Sequence, residues 1–113
     1  MHEQGIVDSL LSVALANAAK ANAAKIRLIN LVVGDLTGVV EESMDLYFGF
    51  LSENTIASGA QIVYRHVPIE LQCRQCDHIF KPEGIDYRCP ACGEQRSDVI
   101  AGRELYIENM EVE

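Results

Sequence analysis

Four cysteines constrain this chain more than any other residues. Cys73 with Cys76, and Cys89 with Cys92, form two Cys-x-x-Cys pairs separated by twelve residues. Each pair can wrap a cation from a tight turn, and together they complete a tetrahedral shell of four sulfurs. Pro90 and Gly93 supply turn chemistry at the second pair. The spacing points to Zn²⁺, with an iron–sulfur centre, which also takes four cysteines, as the runner-up. A shell closed by four thiolates leaves no position for water, so the zinc is expected to be structural and not catalytic. So short a stretch has too little core to hold itself, and residues 72–95 are expected to be a ribbon shaped by its metal.

Bulk properties narrow the function. The chain has 113 residues, 49% of them hydrophobic, and a formal net charge of −8. Its mean hydropathy of +0.06 is that of a globular protein. Four thiolates around one Zn²⁺ add about −2 more. Such acidity argues against a nucleic-acid footprint, which needs a Lys/Arg-rich face. It suits metal handling or docking to a basic partner. No apolar run reaches the roughly 18–20 residues of a membrane span, and no basic start followed by an apolar stretch marks a signal peptide. The expected location is therefore cytoplasmic, where paired cysteines read as metal ligands and not as disulfides.

The pattern along the chain predicts a helix over 4–22, with Ile6, Leu10, Val13 and Ala14 on one apolar face. A strand over 25–33 follows, apolar on both sides. Gly34-Asp35-Leu36-Thr37-Gly38 is a turn. A second helix is expected over 41–53, with Glu41 and Glu42 in its first turn and Leu46, Tyr47, Phe50 and Leu51 on its apolar side. Strands over 61–67 and 104–112 flank the ribbon. The expected fold class is α+β: two helices packed on a three-stranded mixed sheet, with a small four-cysteine zinc ribbon inserted. Residues 1–71 plus 96–113 would form the α/β domain and 72–95 the ribbon. The strand–helix–strand segment would be a right-handed crossover. The two strands flanking the ribbon would pair antiparallel as a long hairpin.

The remaining candidates are quieter. His2 is too large for the preceding initiator methionine to be removed, so Met1 should stay. Its amine, the backbone nitrogens of His2 and Glu3, and the His2 imidazole could make a planar nitrogen set, which suits Ni(II) or Cu(II). Spacing alone equally allows an N-terminal histidine without a role, and Glu3 equally reads as a helix N-terminal acid. His78, two residues after Cys76, is a spare ligand or a surface turn residue. His66 lies mid-strand and reads as a solvent-face residue without a role. No catalytic triad, phosphate loop or paired-carboxylate site is visible, so the chain reads as a binding protein and not an enzyme.

Taken together these residues resemble one family. Met1-His2-Glu3, Ile6-Val7 with Ser9-Leu10-Leu11, Gly34 to Val39, the paired cysteines and the closing Gly102-Arg103-Glu104-Leu105-Tyr106-Ile107-Glu108 are similar to the HypA/HybF proteins over essentially the full length. The resemblance implies a nickel metallochaperone for hydrogenase maturation. It implies nickel held by Met1, His2 and Glu3 and structural zinc held by Cys73, Cys76, Cys89 and Cys92. It implies delivery toward the [NiFe]-hydrogenase large-subunit precursor with a nickel-binding GTPase partner, as monomer or dimer, with urease as a second client in some relatives. Two positions depart from some relatives: a carboxylate near the nickel site is Val40 here, with Glu41 and Glu42 adjacent as accessory candidates. A histidine after the second cysteine pair is Gly93 here, which leaves His78 for any exchange at zinc. The competing readings are a zinc-ribbon adaptor docking a protein partner, with His2 incidental, and a thiol oxidoreductase.

Overall fold

The computed structural model describes residues 2–113, except for the side chain of His2. Helix α1 spans His2–Lys20 and strand β1 spans Ile26–Gly34. A single 3-10 turn, Asp35–Thr37, leads to helix α2, Glu41–Leu51. Strand β2 is Gln61–Val67, and β3 (Glu70–Cys73), β4 (Ile79–Phe80) and β5 (Ser97–Ala101) follow before β6, Leu105–Val112. Helices and strands thus lie where the apolar periodicity predicts them, with ends shifted by a few residues. The fold is α+β, two helices against a mixed three-stranded sheet, with a second three-stranded sheet in the cysteine ribbon.

The strand pairing differs from expectation. The first sheet has the order β2-β1-β6. Strand β1 pairs parallel with β2, as a crossover through α2 requires, and antiparallel with β6. The strands flanking the ribbon therefore do not pair with each other in this sheet; β1 lies between them. The reason is burial: Ile29, Leu31, Val32 and Val33 of β1 are all almost wholly buried, and only a central position covers both edges of so apolar a strand. The antiparallel hairpin contact occurs instead in the second sheet, of order β4-β3-β5, where Glu70–Cys73 pairs with Ser97–Ala101.

The helix faces are also rotated from those read in the sequence. In α1 the buried stripe is Val7, Leu10, Leu11, Ala14 and Ala18, while Val13 is half exposed. In α2 the buried residues are Met44 and Phe48, with Tyr47 and Leu51 packed beside them; Leu46 and Phe50 face outward. Both helices carry apolar residues around most of their circumference, so periodicity alone left the inward side open. The core joins these stripes to Ile26, Ile29, Leu31, Val33 and Ile62 of the sheet. On the opposite face of β1, the register sets Val32 between Arg65 and Tyr106, and the Arg65–Glu108 ion pair reaches from β2 to β6 across it.

The two sheets meet where backbone touches backbone. Pro68 and Ile69 carry the chain from β2 into the ribbon, and Gly102 to Glu104 bring it back. A Cβ on Gly34 would lie 2.1 Å from the Gly102 carbonyl oxygen. Gly102 itself has φ +115, a conformation that L side chains rarely adopt. The contact is sealed by hydrogen bonds from the Leu36 N–H to the Gly102 carbonyl, 2.8 Å, and from the Gly34 N–H to the Glu104 carbonyl, 2.6 Å. Gly34→Ala should therefore cost about 2 kcal/mol or more, because rigid backbone must move to admit one methyl group. Gly49→Ala, in α2 with open space around its Cα, should instead gain about 0.5–1 kcal/mol of helix propensity. Urea unfolding of the two variants beside the parent measures both.

Candidate metal centres

The two cysteine pairs build the same turn twice. At the first, the Cys73 N–H donates to the His78 carbonyl, 2.9 Å, and the Asp77 N–H returns to the Cys73 carbonyl, 3.1 Å. At the second, the Cys89 N–H donates to the Glu94 carbonyl, 3.0 Å, and the Gly93 N–H returns to the Cys89 carbonyl, 2.8 Å. The residue after each pair is left-handed: Asp77 at φ 62 and Gly93 at φ 79. That explains the residue types, since glycine, asparagine and aspartate tolerate this region best. Each knuckle contributes one buried cysteine, Cys73 or Cys89, and one exposed cysteine, Cys76 or Cys92.

The four sulfurs converge. All lie within 4.8 Å of one another, with Cys73 Sγ 3.5 Å from Cys92 Sγ and Cys76 Sγ 3.6 Å from Cys89 Sγ. These are not disulfides; all four thiols are free. Tetrahedral zinc at about 2.3 Å from each sulfur would set the sulfurs about 3.8 Å apart, so the cage fits such an ion. Its electrostatics ask for a cation. The Cys76 N–H, and with it the Gln75 N–H, donates toward Cys73 Sγ and helps lower that thiol to about 7 against the opposing effect of burial. At Cys92 the Glu94 backbone lowers the thiol, but desolvation and the three neighbouring cysteines outweigh it and push it up to about 12. Four adjacent thiols cannot all ionise without a positive charge among them. The surrounding core is small: Leu71 and Phe80 with the buried cysteines, backed by Ile69 and Val99.

His78 stacks on Phe80, ring centroids 6.1 Å apart and nearly parallel. The convergent ligand set among the described residues comprises the four cysteines and not His78.

At the other candidate centre, Met1 and the side chain of His2 lie outside the described residues. The neighbouring frame is described. Glu3 is 9% exposed, and its carboxylate accepts the Val40 N–H at 3.3 Å. Val40 presents no polar side chain and is half exposed. Glu41 turns away from the helix end toward β2, where its carboxylate meets His66 Nε2. Glu42 is exposed in the first turn of α2.

Sequence reasoning missed His66. Its second ring nitrogen faces the Asp35 carboxylate at 3.7 Å, so one histidine meets acids from two other segments. The signal was the alternation Ile62, Tyr64, His66 along β2, which puts all three on the helix side. Two steps along a strand, about 6.6 Å, match four residues along a helix, about 6 Å. Tyr64 and His66 accordingly meet Asp45 and Glu41 of α2.

A family model described as hydrogenase/urease nickel incorporation, metallochaperone, hypA, matches residues 1–112. The chain belongs to the HypA family. A hydrogenase maturation factor HypA of Dehalococcoides mccartyi is 42% identical over all of this chain and 95% of its own. One of Caldanaerobacter subterraneus subsp. tengcongensis is 37% identical, with both chains wholly covered. A HypA solution structure superposes with a TM-score of 0.75 at 26% identity, covering 99% of this chain and 96% of its own. The solution structure of the Ni metallochaperone HypA from Helicobacter pylori, 24% identical, shares the fold with a TM-score of 0.69 over 97% and 96% of the two chains. The family is thus one of nickel metallochaperones in hydrogenase maturation, and the four-cysteine cluster is part of this member's fold.

Cys73→Ala should abolish metal retention at the ribbon and unfold β3 to β5, while the helices and first sheet persist on their separate core. Elemental analysis and amide hydrogen exchange of the variant read the two halves independently.

Proposed function

We propose that this chain carries Ni(II) at its amino terminus and passes it on for assembly of the [NiFe]-hydrogenase large-subunit precursor, with a nickel-binding GTPase as partner and urease as a second client class. It is a carrier and not an enzyme, and it acts in the cytoplasm. The observation that carries the reading is the match of residues 1–112 to a nickel-incorporation family. The local chemistry supports it. A helix leaves its first backbone N–H groups without intrahelical acceptors, and α1 begins at His2. The nitrogens of His2 and Glu3 therefore stand in the first turn of the helix. Bound as amide anions, they would sit at the positive end of the helix dipole. With the Met1 amine and the His2 imidazole they form a planar nitrogen set suited to Ni(II).

The ribbon holds Zn²⁺ on Cys73, Cys76, Cys89 and Cys92, and the metal supplies the stability that its small core lacks. The division of labour follows from enclosure. A closed four-sulfur shell retains its ion, whereas cargo must leave, which a terminal site with few enclosing groups permits. No helix among the described residues is long and apolar enough to cross a membrane.

His2→Ala should abolish nickel binding and leave zinc content and fold unchanged. An extension before Met1 should weaken binding at least tenfold, because it converts a strong amine donor into an amide. Acidification should weaken it as well, since protons compete for every nitrogen in the set. Calorimetry and nickel absorption spectra on the parent, His2→Ala and extended forms check this; equal binding by all three would place the nickel site elsewhere.

A further inference from the structure

We infer that His66 is a positioning residue for the nickel site, acting through the connection between β1 and α2; this rests on the amino-terminal nickel reading. The connection, residues 35–40, begins at Asp35 and ends at the start of α2, Glu41. His66 faces both boundaries at once, with Nδ1 toward the Asp35 carboxylate at 3.7 Å and Nε2 against the Glu41 carboxylate. Strand β2 holds the histidine in place, since His66 stands opposite Val33 in the β1–β2 register. One ring thus closes the connection across its two ends.

Between those ends the connection supplies the group that reaches the amino terminus. Thr37 Oγ1 donates to the Gly34 carbonyl at 2.8 Å and accepts the Val39 N–H at 3.3 Å. Gly38, at φ 69, turns the chain. The next N–H, that of Val40, is received by the Glu3 carboxylate. Glu3 is one of the three residues of the proposed nickel set, and its backbone nitrogen is a donor there. Where Val40 stands, its side chain offers the metal nothing, so this connection contributes its backbone: it fixes Glu3, and His66 fixes the connection. The ring is not a ligand in this scheme. Its two nitrogens are each turned to a different carboxylate, and among the described residues the only convergent ligand set is the four cysteines.

The test compares the parent with His66→Ala, His66→Gln, Arg65→Ala and His2→Ala, all as full chains with zinc bound. Arg65 is the neighbour on the opposite face of β2 and serves as the control. His66→Ala should speed exchange of the Val40 amide in the nickel-free protein and weaken nickel binding about fivefold, the scale of one half-exposed hydrogen bond. The nickel absorption band should broaden, while zinc content stays at one per chain. His66→Gln, which can still donate to Glu41, should recover part of both effects, and Arg65→Ala should produce neither. Should His66→Ala fail to fold, Asp35→Asn loosens the same contact from the other side and is expected to give the smaller version of both effects. Parent-like Val40 exchange and nickel affinity in His66→Ala, with nickel lost in His2→Ala, would overturn the inference and leave the amino-terminal reading intact. Undiminished nickel binding by His2→Ala would overturn that reading and the inference with it.

Discussion

Everything in this molecule is hung on β1. Ile26, Ile29, Leu31, Val32 and Val33 are buried almost completely, and the strand is hydrogen-bonded along both edges. A strand this apolar cannot lie at an edge without leaving both backbone groups and side chains in water. Its central position fixes the parallel partner that α2 must reach and the antiparallel partner that returns from the ribbon. The same strand ends at Gly34, against which Gly102 is pressed. One element therefore sets the core, the crossover and the junction between the two halves that carry the candidate centres.

The two candidate centres obey opposite physical demands. The cysteine cage brings four donors together from two knuckles, and their adjacent thiols call for a cation among them. The protein core there is small, so a bound metal would couple its retention to folding of the ribbon. The amino terminus asks little of the fold: backbone nitrogens at a helix start and a terminal amine exist in any chain that begins this way. What the fold adds is fixation of Glu3 by the Val40 amide. Between the two centres runs the 34–40 segment, touching Gly102 on the ribbon side through Leu36 and Glu3 on the other through Val40. The ribbon end of this route is a backbone contact, and the other end runs through the Glu3 carboxylate.

The acidic surface is organised too. Asp45 receives the Tyr64 hydroxyl at 2.7 Å, and burial, with Asp45 beside it, holds that phenol well above its usual range. With the Glu41–His66 contact this ties α2 to β2 at two consecutive points along both elements. Four residues of helix and two of strand span nearly the same distance, so the two contacts form together.

Much of this was legible in the sequence, for identifiable reasons. The knuckles declare themselves because metal chelation needs two donors three positions apart on a tight turn, a requirement local enough to read from spacing. The elements are visible because burial imprints a period on each segment, and the strand 61–67 was placed to the residue. The family was carried by short runs such as Met1-His2-Glu3. The inward faces of α1 and α2 were not legible, since both helices have more apolar residues than one face can hold; only the packed sheet shows that Val13, Leu46 and Phe50 point away. Strand order was not legible, because sequence adjacency suggests the hairpin that burial of β1 forbids. His66 was not legible as a clamp, since its two acids stand 31 and 25 positions away. The sequence by itself determined which residues can hold metal and which segments are helix or strand, because those depend on neighbours along the chain. The tertiary structure decided which strand is central, which glycines touch and which histidine holds the loop beside Glu3, because those depend on distances that exist only once distant segments have packed.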